Sequence, residues 1–206
     1  MKIFFDLDGT LIDSKLRLYN LFQKLVPQSI LTYNEYWEFK MNKISHSMIL
    51  RQVFNFGEID IKLFEAKWME LIETENLLKF DKPFVGITDH LTKLKKKGIL
   101  LYVVTARQFK TKVISQLELF GWSTIFQDIL VTGQKNKKEN LIKPFLEGDE
   151  ENWIIGDTGM DIIVGKKLGI KTAAVLSGFL NKEVLLTYEP DYILENIIEF
   201  DPANKI

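Results

Sequence analysis

Apolar positions along the chain follow two rhythms. Short unbroken runs recur at Ile3-Phe4-Phe5, Ile99 to Val104, Ile129-Leu130-Val131, Trp153-Ile154-Ile155 and Thr172 to Leu176. They are rich in β-branched or aromatic residues and do not alternate with polar ones, as expected of strands covered on both faces in a parallel sheet. Between them the spacing turns helical. Thr88 to Lys97 puts Leu91 and Leu94 on one face, ends in three lysines and stops at Gly98; cations in the last turn and glycine just beyond are stop signals. Gln108 to Phe120 points Phe109, Val113, Ile114, Leu117 and Phe120 inward and closes at Gly121, and Asp161 to Leu168 closes at Gly169. Strand–helix–strand repetition predicts an α/β sheet with right-handed crossovers.

One segment breaks the rhythm. From Leu16 to Leu78 the apolar positions (Leu18, Leu21, Phe22, Leu25; Ile49, Leu50, Val53, Phe54; Leu63, Phe64, Trp68, Leu71, Ile72) keep helical spacing and no strand intervenes. Pro27 and Gly57 punctuate it, and Pro83 with Gly86 mark the return. The expected organisation is a sheet domain of residues 1–14 and 82–206, split by an all-helical insertion over 15–81. Its Trp and Phe residues are expected to form that insertion's own core.

Composition narrows the chemistry. There is no cysteine, which excludes disulfides, zinc fingers, iron–sulfur clusters and thiol nucleophiles. His46 and His90 lie too far apart for an HExxH zinc site. A net charge of −1 gives no footprint for nucleic acid. No apolar stretch approaches the ~20 residues a membrane span needs, and carboxylates break the N-terminal apolar run before a signal peptide could form. The expectation is a soluble cytoplasmic protein with no nucleic-acid or membrane partner, whose chemistry rests on carboxylates, amines and hydroxyls.

Such groups follow the strands. The first run ends in Asp6-Leu7-Asp8-Gly9-Thr10, the second in Thr105-Ala106-Arg107, the third in Thr132-Gly133 with Lys135, Lys137 and Lys138 beyond, and the fourth in Gly156-Asp157-Thr158-Gly159-Met160-Asp161. Open parallel sheets bind ligands outside the carboxyl ends of their strands. A strand's period of two places Asp6 and Asp8 on the same side, and Asp157 arrives from another strand. Three acids together repel unless a hard cation sits between them, and Mg²⁺ suits such a cluster with phosphate oxygens. Thr105 and an amine supply donors to phosphoryl oxygens, and the available nucleophile is a carboxylate.

In order and spacing, Asp6-x-Asp8-Gly9-Thr10-Leu11, Thr105 after an apolar strand, a lysine before the fourth strand, and Gly156-Asp157-x-x-x-Asp161 resemble the four motifs of the haloacid dehalogenase-like (HAD) hydrolase superfamily. The insertion resembles the helical cap of its phosphoglycolate phosphatase and β-phosphoglucomutase branch. The resemblance covers essentially the whole chain. It implies a Rossmann-like parallel sheet flanked by helices with an all-α cap, and a Mg²⁺-dependent phosphatase acting on a small phosphorylated metabolite. Asp6 would be the nucleophile and Asp8 the acid and base. The Asp6 carboxylate, the Asp8 carbonyl and Asp157 would hold Mg²⁺, and Asp161 would orient the metal's waters or the lysine. Thr105 and one lysine would bind the transferring phosphoryl group. Lys137-Lys138-Glu139-Asn140-Leu141 resembles the KGExL form of the third motif, which favours Lys137; a shift of one residue brings in Lys138, and Lys135 stands third.

Further substrate contacts are expected from Arg107 beside Thr105, and from Lys43 and His46, where related caps carry a specificity loop; Lys40 and Arg51 lie nearby. His90 sits early in a surface helix, without a role. Gly159 to Lys167 does not match a nucleotide-binding P-loop, being one residue too long and lacking Ser or Thr after the lysine. Two alternatives use the same residues: a sugar phosphomutase, and a catalytically silent protein that binds a phosphorylated ligand. Dehalogenation is disfavoured, because it does not need the acid at Asp8.

Overall fold

A computed structural model describes residues 1–146, 148 and 151–202. Six parallel strands form one sheet in the order β5-β4-β1-β6-β7-β8: β1 Lys2–Phe5, β4 Leu100–Thr105, β5 Asp128–Val131, β6 Asn152–Gly156, β7 Lys171–Val175 and β8 Tyr192–Leu194. Strand β1 is central, pairing Ile3 with Leu101 on one side and with Trp153 on the other. The chain builds the sheet outward through β4 and β5, then returns to the other flank of β1 at β6. That reversal is the topological switch point, where such sheets hold ligands.

Both faces are covered, as the unbroken apolar runs require. Ile3, Phe5, Leu101, Val103 and Ile155 pack with α6 (Ile87–Lys96) and α7 (Lys110–Leu119). Phe4, Tyr102, Val104 and Ile154 pack with α8 (Lys138–Ile142) and α9 (Gly159–Leu168) on the opposite face. Burying each such side chain contributes about 1.5–3 kcal/mol. Two details differ from expectation. Helix α7 starts at Lys110, so Phe109 is its N-cap residue and is 46% exposed, while Gln116 turns inward instead. Strand β8 is an edge strand of three residues, too short to announce itself.

Five helices lie between Asp13 and Lys82: α1 Lys15–Leu25, α2 Tyr33–Met41, α3 His46–Phe54, α4 Glu58–Leu71 and α5 Glu75–Leu78. A capping box of Thr32 with Glu35 starts α2, and the Ser45 hydroxyl accepts from Met48 N–H to start α3. Phe22, Tyr36, Trp37, Ile49, Leu50, Ile61 and Phe64 form a core of their own. The segment leaves and rejoins the sheet through a two-residue antiparallel ladder, β2 (Ile12–Asp13) against β3 (Lys82–Pro83). No described helix is long and apolar enough to cross a membrane.

Candidate active site

Asp6 directly follows β1, and its N–H donates to Ile155 O at 2.8 Å, extending the ladder by one residue. The chain then turns, with Gly9 at φ +88° and the N–H groups of Leu11 and Ile12 donating to Leu7 O. Asp8 therefore reaches the pocket from a turn, not from the pleat of a strand. Asp157 follows β6, and its Oδ2 accepts from Phe179 N–H at 2.8 Å. A Cβ at Gly9 or Gly178 would collide with the Asp157 carboxylate, so the two glycines let backbone close around it. Asp161, in the first turn of α9, accepts from the Thr158 hydroxyl at 2.8 Å.

Lys138, the first residue of α8, donates to Asp6 Oδ1 at 2.5 Å and to Asp161 Oδ1 at 2.7 Å. The expectation that favoured Lys137 is corrected in placement: Lys137 caps α8 from outside and is exposed, and the turn of the helix sends the next side chain inward. Lys135 is exposed too. Single carboxylate oxygens of Asp6, Asp157 and Asp161 all lie within 4.8 Å of one another. Thr105 is buried at the end of β4, its hydroxyl accepting from Arg107 N–H at 3.3 Å.

Burial pushes the Asp6 carboxyl up to about 7; Lys138 opposes this and the Asp161 charge adds to it. Asp157 is raised well above the usual range, by burial and then by Asp6 and Asp161. For Lys138 burial acts downward, but Asp161 and Asp6 outweigh it and hold the ammonium above its ordinary value.

Asp8 belongs to a second cluster. Arg107 grips it with Nε on Oδ2 and Nη2 on Oδ1, both at 2.7 Å, and Arg17 Nη2 donates to the same Oδ1. Burial alone would raise the Asp8 carboxyl, yet Arg107 and Arg17 hold it well below the usual range. Asp81 stands behind them, 2.9 Å from Arg17 Nε and 2.9 Å from Arg107 Nη2. Gln116 ties the group together, donating to Asp81 at 2.9 Å and accepting from Arg107 Nη1 at 2.6 Å. Asp6, Asp8, Arg17, Thr105, Arg107, Lys138 and Asp157 line one pocket of about 310 Å³, with Leu18, Trp68, Met69 and Ile72 reaching in from the helical segment.

The pattern of the haloacid dehalogenase-like hydrolases matches residues 3–175. That span takes in the whole acid and lysine cluster. The chain belongs to this family. The hydrolase is 31% identical over 205 residues to a phosphoglycolate phosphatase of Aquifex aeolicus, covering 93% of this chain and 91% of that one. It is 29% identical over 211 residues to the pyrophosphatase PpaX of Oceanobacillus iheyensis, covering 95% and 92%. A crystal structure from Clostridium difficile superposes with a TM-score of 0.79 at 25% identity, covering 95% of this chain and 94% of that one.

The hydrolase does not bring Lys43 or His46 to the pocket. Lys43 lies in a left-handed turn (φ +61°) with its ammonium 5.1 Å from the centre of the Tyr188 ring. Lys40 donates to Ile44 O, and Arg51 pairs with Glu58 on the surface. His46 is half-buried among aromatic rings of the helical segment. Its Nε2 shares a 2.8 Å hydrogen bond with the Tyr36 hydroxyl, and its ring lies 4.2 Å from that of Trp68.

Burial, and then the Lys40 charge, push the His46 imidazole well below its ordinary value. The folded state therefore refuses a proton that the unfolded chain takes up below about pH 6.5. This contribution is present above pH 6.5 and lost as pH falls, at up to ~1.4 kcal/mol per unit. His46→Phe is expected to cost about 1–2 kcal/mol at pH 7.5, by leaving the Tyr36 hydroxyl unpartnered, and to flatten the slope between pH 6.5 and 5. Urea denaturation of both proteins across that range checks it; equal slopes would remove His46 as the cause.

Several residues of the site have no motif in the sequence. Arg17 and Asp81 flank Asp8, and buried Glu73 accepts from the N–H groups of Gln108 and Phe109 at 2.7 and 3.3 Å, tying the helical segment to the loop after β4. On the other side the Phe179 ring stacks on Trp37 at 5.3 Å, and Asn181 N–H donates to Met41 O at 3.1 Å. The one readable signal is Arg17, a charge four residues before Leu21 on the inward face of α1.

Proposed function

We propose that this hydrolase is a Mg²⁺-dependent phosphatase that cleaves a small phosphomonoester through an aspartyl-phosphate, with residues 15–81 as a cap over the site. The observation that carries the reading is the cluster of Asp6, Asp157 and Asp161 with Lys138 across two of them. Three carboxylates face one ammonium in a buried place, a crowding that raises Asp6 and Asp157, and Asp157 Oδ1 is buried there without a hydrogen-bond partner. All the donors are hard oxygens. Together these features fit a divalent cation such as Mg²⁺. Relatives named phosphoglycolate phosphatase and pyrophosphatase support the reaction class.

Asp6 and Asp157 would hold the ion through their carboxylates, with the Asp8 carbonyl. When bound, Mg²⁺ would neutralise the acids and draw charge from the phosphoryl oxygens. The Asp6 carboxylate attacks phosphorus in line; an acyl–phosphate bond forms as the ester P–O bond breaks. Thr105 and Lys138 donate to the phosphoryl oxygens, and Asp161 keeps Lys138 pointed at them. Once loosened from its arginines Asp8 can take up a proton from solvent, which it gives to the leaving oxygen, and it then takes one from the water that cleaves the intermediate. Held ionised by its arginines, Asp8 is in the form that second half requires.

Phosphate release from p-nitrophenyl phosphate and a panel of small phosphate esters tests this. Turnover with Mg²⁺ should fall at least ~100-fold under a chelator and return when Mg²⁺ is restored. Release from no ester, or release indifferent to the chelator, would overturn the reading; interconversion of sugar phosphates without release would make the protein a mutase.

A further inference from the structure

We infer that Arg17 and Arg107 form a seat for a second anionic group carried on the leaving half of the substrate, and that Asp8 fills that seat until such a group arrives. This rests on the phosphatase reading above and adds to it a substrate class and a specificity residue, Arg17.

Two guanidiniums from different parts of the chain, α1 and the loop after β4, converge on one oxygen, Asp8 Oδ1. All three line the pocket, but both arginine side chains are only 3% exposed, whereas Asp8 is 17% exposed. Asp81, fully buried, compensates one of the two cations and is fixed from behind by Arg17, Arg107 and Gln116. If Asp8 swings away, Asp81 is the one carboxylate left in ion-pair contact with the two guanidiniums among the described residues, and the donors that held Asp8 lose their acceptor, which is unfavourable in a buried place. An anionic group is the replacement these donors favour. A carboxylate or phosphate matches the fork that Arg107 presents, and Leu18, Trp68, Met69 and Ile72 give that part of the pocket an apolar wall.

The exchange also frees the proton-transfer group. Both oxygens of Asp8 are occupied by arginine donors, so it must loosen from them before it can serve a leaving oxygen. A leaving group bearing its own carboxylate or phosphate replaces Asp8 in the seat as it binds. A neutral leaving group does not, and Asp8 stays gripped. The site thus selects esters whose leaving half is itself an anion.

Steady-state kinetics with anion-bearing substrates (a phosphorylated hydroxy acid, inorganic pyrophosphate) against neutral ones (p-nitrophenyl phosphate, glycerol phosphate) give a ratio of kcat/KM values. Wild type should favour the anion-bearing class by ~10-fold or more. Arg17→Gln should cut the ratio at least ~10-fold, chiefly through KM, and Arg17→Lys should restore part of it. A ratio that Arg17→Gln leaves unchanged overturns the proposal, since a merely structural arginine would affect every ester alike. A second measurement needs no turnover. Asp8→Asn removes the charge that fills the seat, so methylenediphosphonate, titrated calorimetrically without metal, should bind at least ~5-fold tighter than to wild type; equal or weaker binding overturns the seat. If wild type hydrolyses no ester, the phosphatase reading fails, and the calorimetry still decides whether the seat exists.

Discussion

Asp6→Asn is expected to reduce phosphate release by on the order of 10⁴-fold or more while leaving the protein folded. An amide cannot form the acyl phosphate, and nothing else in the cluster can replace it: Asp157 is fixed by the Phe179 N–H, and Asp161 by Lys138 and Thr158. Stability should move the other way. Asp6 is buried, its carboxyl is pushed up to about 7, and Asp161 and Asp8 both repel its charge. Removing that charge relieves crowding, and Lys138 keeps Asp161 as its partner. Single-turnover phosphate release with a thermal melt reads both effects. Activity within tenfold of wild type in a fully folded variant would remove Asp6 as the nucleophile.

Lys138→Met should damage both activity and fold. The ammonium is the only cation within hydrogen-bonding reach of Asp6 and Asp161 among the described residues, and its side chain is just 11% exposed. Taking one partner from a buried ion cluster costs about 3–5 kcal/mol. Chemical denaturation without metal should show that loss, and added Mg²⁺ should recover part of it by occupying the acids. Turnover should fall on the order of 10³-fold, because a fixed donor to the transferring group disappears. Lys137→Met, a change outside the pocket, should stay within about threefold of wild type. A reversal of the two outcomes would return the role to Lys137.

The contrast between those neighbouring lysines shows where sequence reading stops. Unbroken apolar runs made the central strands and their order of chemistry legible, since burial on both faces leaves short runs rich in β-branched and aromatic residues. The acids were legible because they follow those runs directly. Lys138 sits in a loop-to-helix junction, where one residue of register decides which side chain turns inward, and no periodicity reaches across to set it. His46 reads as a substrate contact because its position in sequence carries no sign of the aromatic rings that enclose it. Arg17 and Asp81 are 64 positions apart in sequence and meet only through folding. Phe109 missed the core through a helix start two residues later than its spacing suggested.

The two-residue ladder of Ile12 with Pro83 and Asp13 with Lys82 has a consequence for how such a protein diversifies. It brings the two ends of a long helical segment side by side before either enters the sheet domain, so the segment's length and shape are invisible to the six strands. Closing a longer or shorter loop at that point changes chain entropy only slowly, about 0.6 kcal/mol for each doubling. A lineage could therefore exchange the whole segment, and with it Arg17 and Glu73, while Asp6, Lys138 and Asp157 stay where the sheet holds them. Under the function proposed above, Arg17 would then be inherited with the helical segment, and Arg107 and the bond-breaking residues with the sheet.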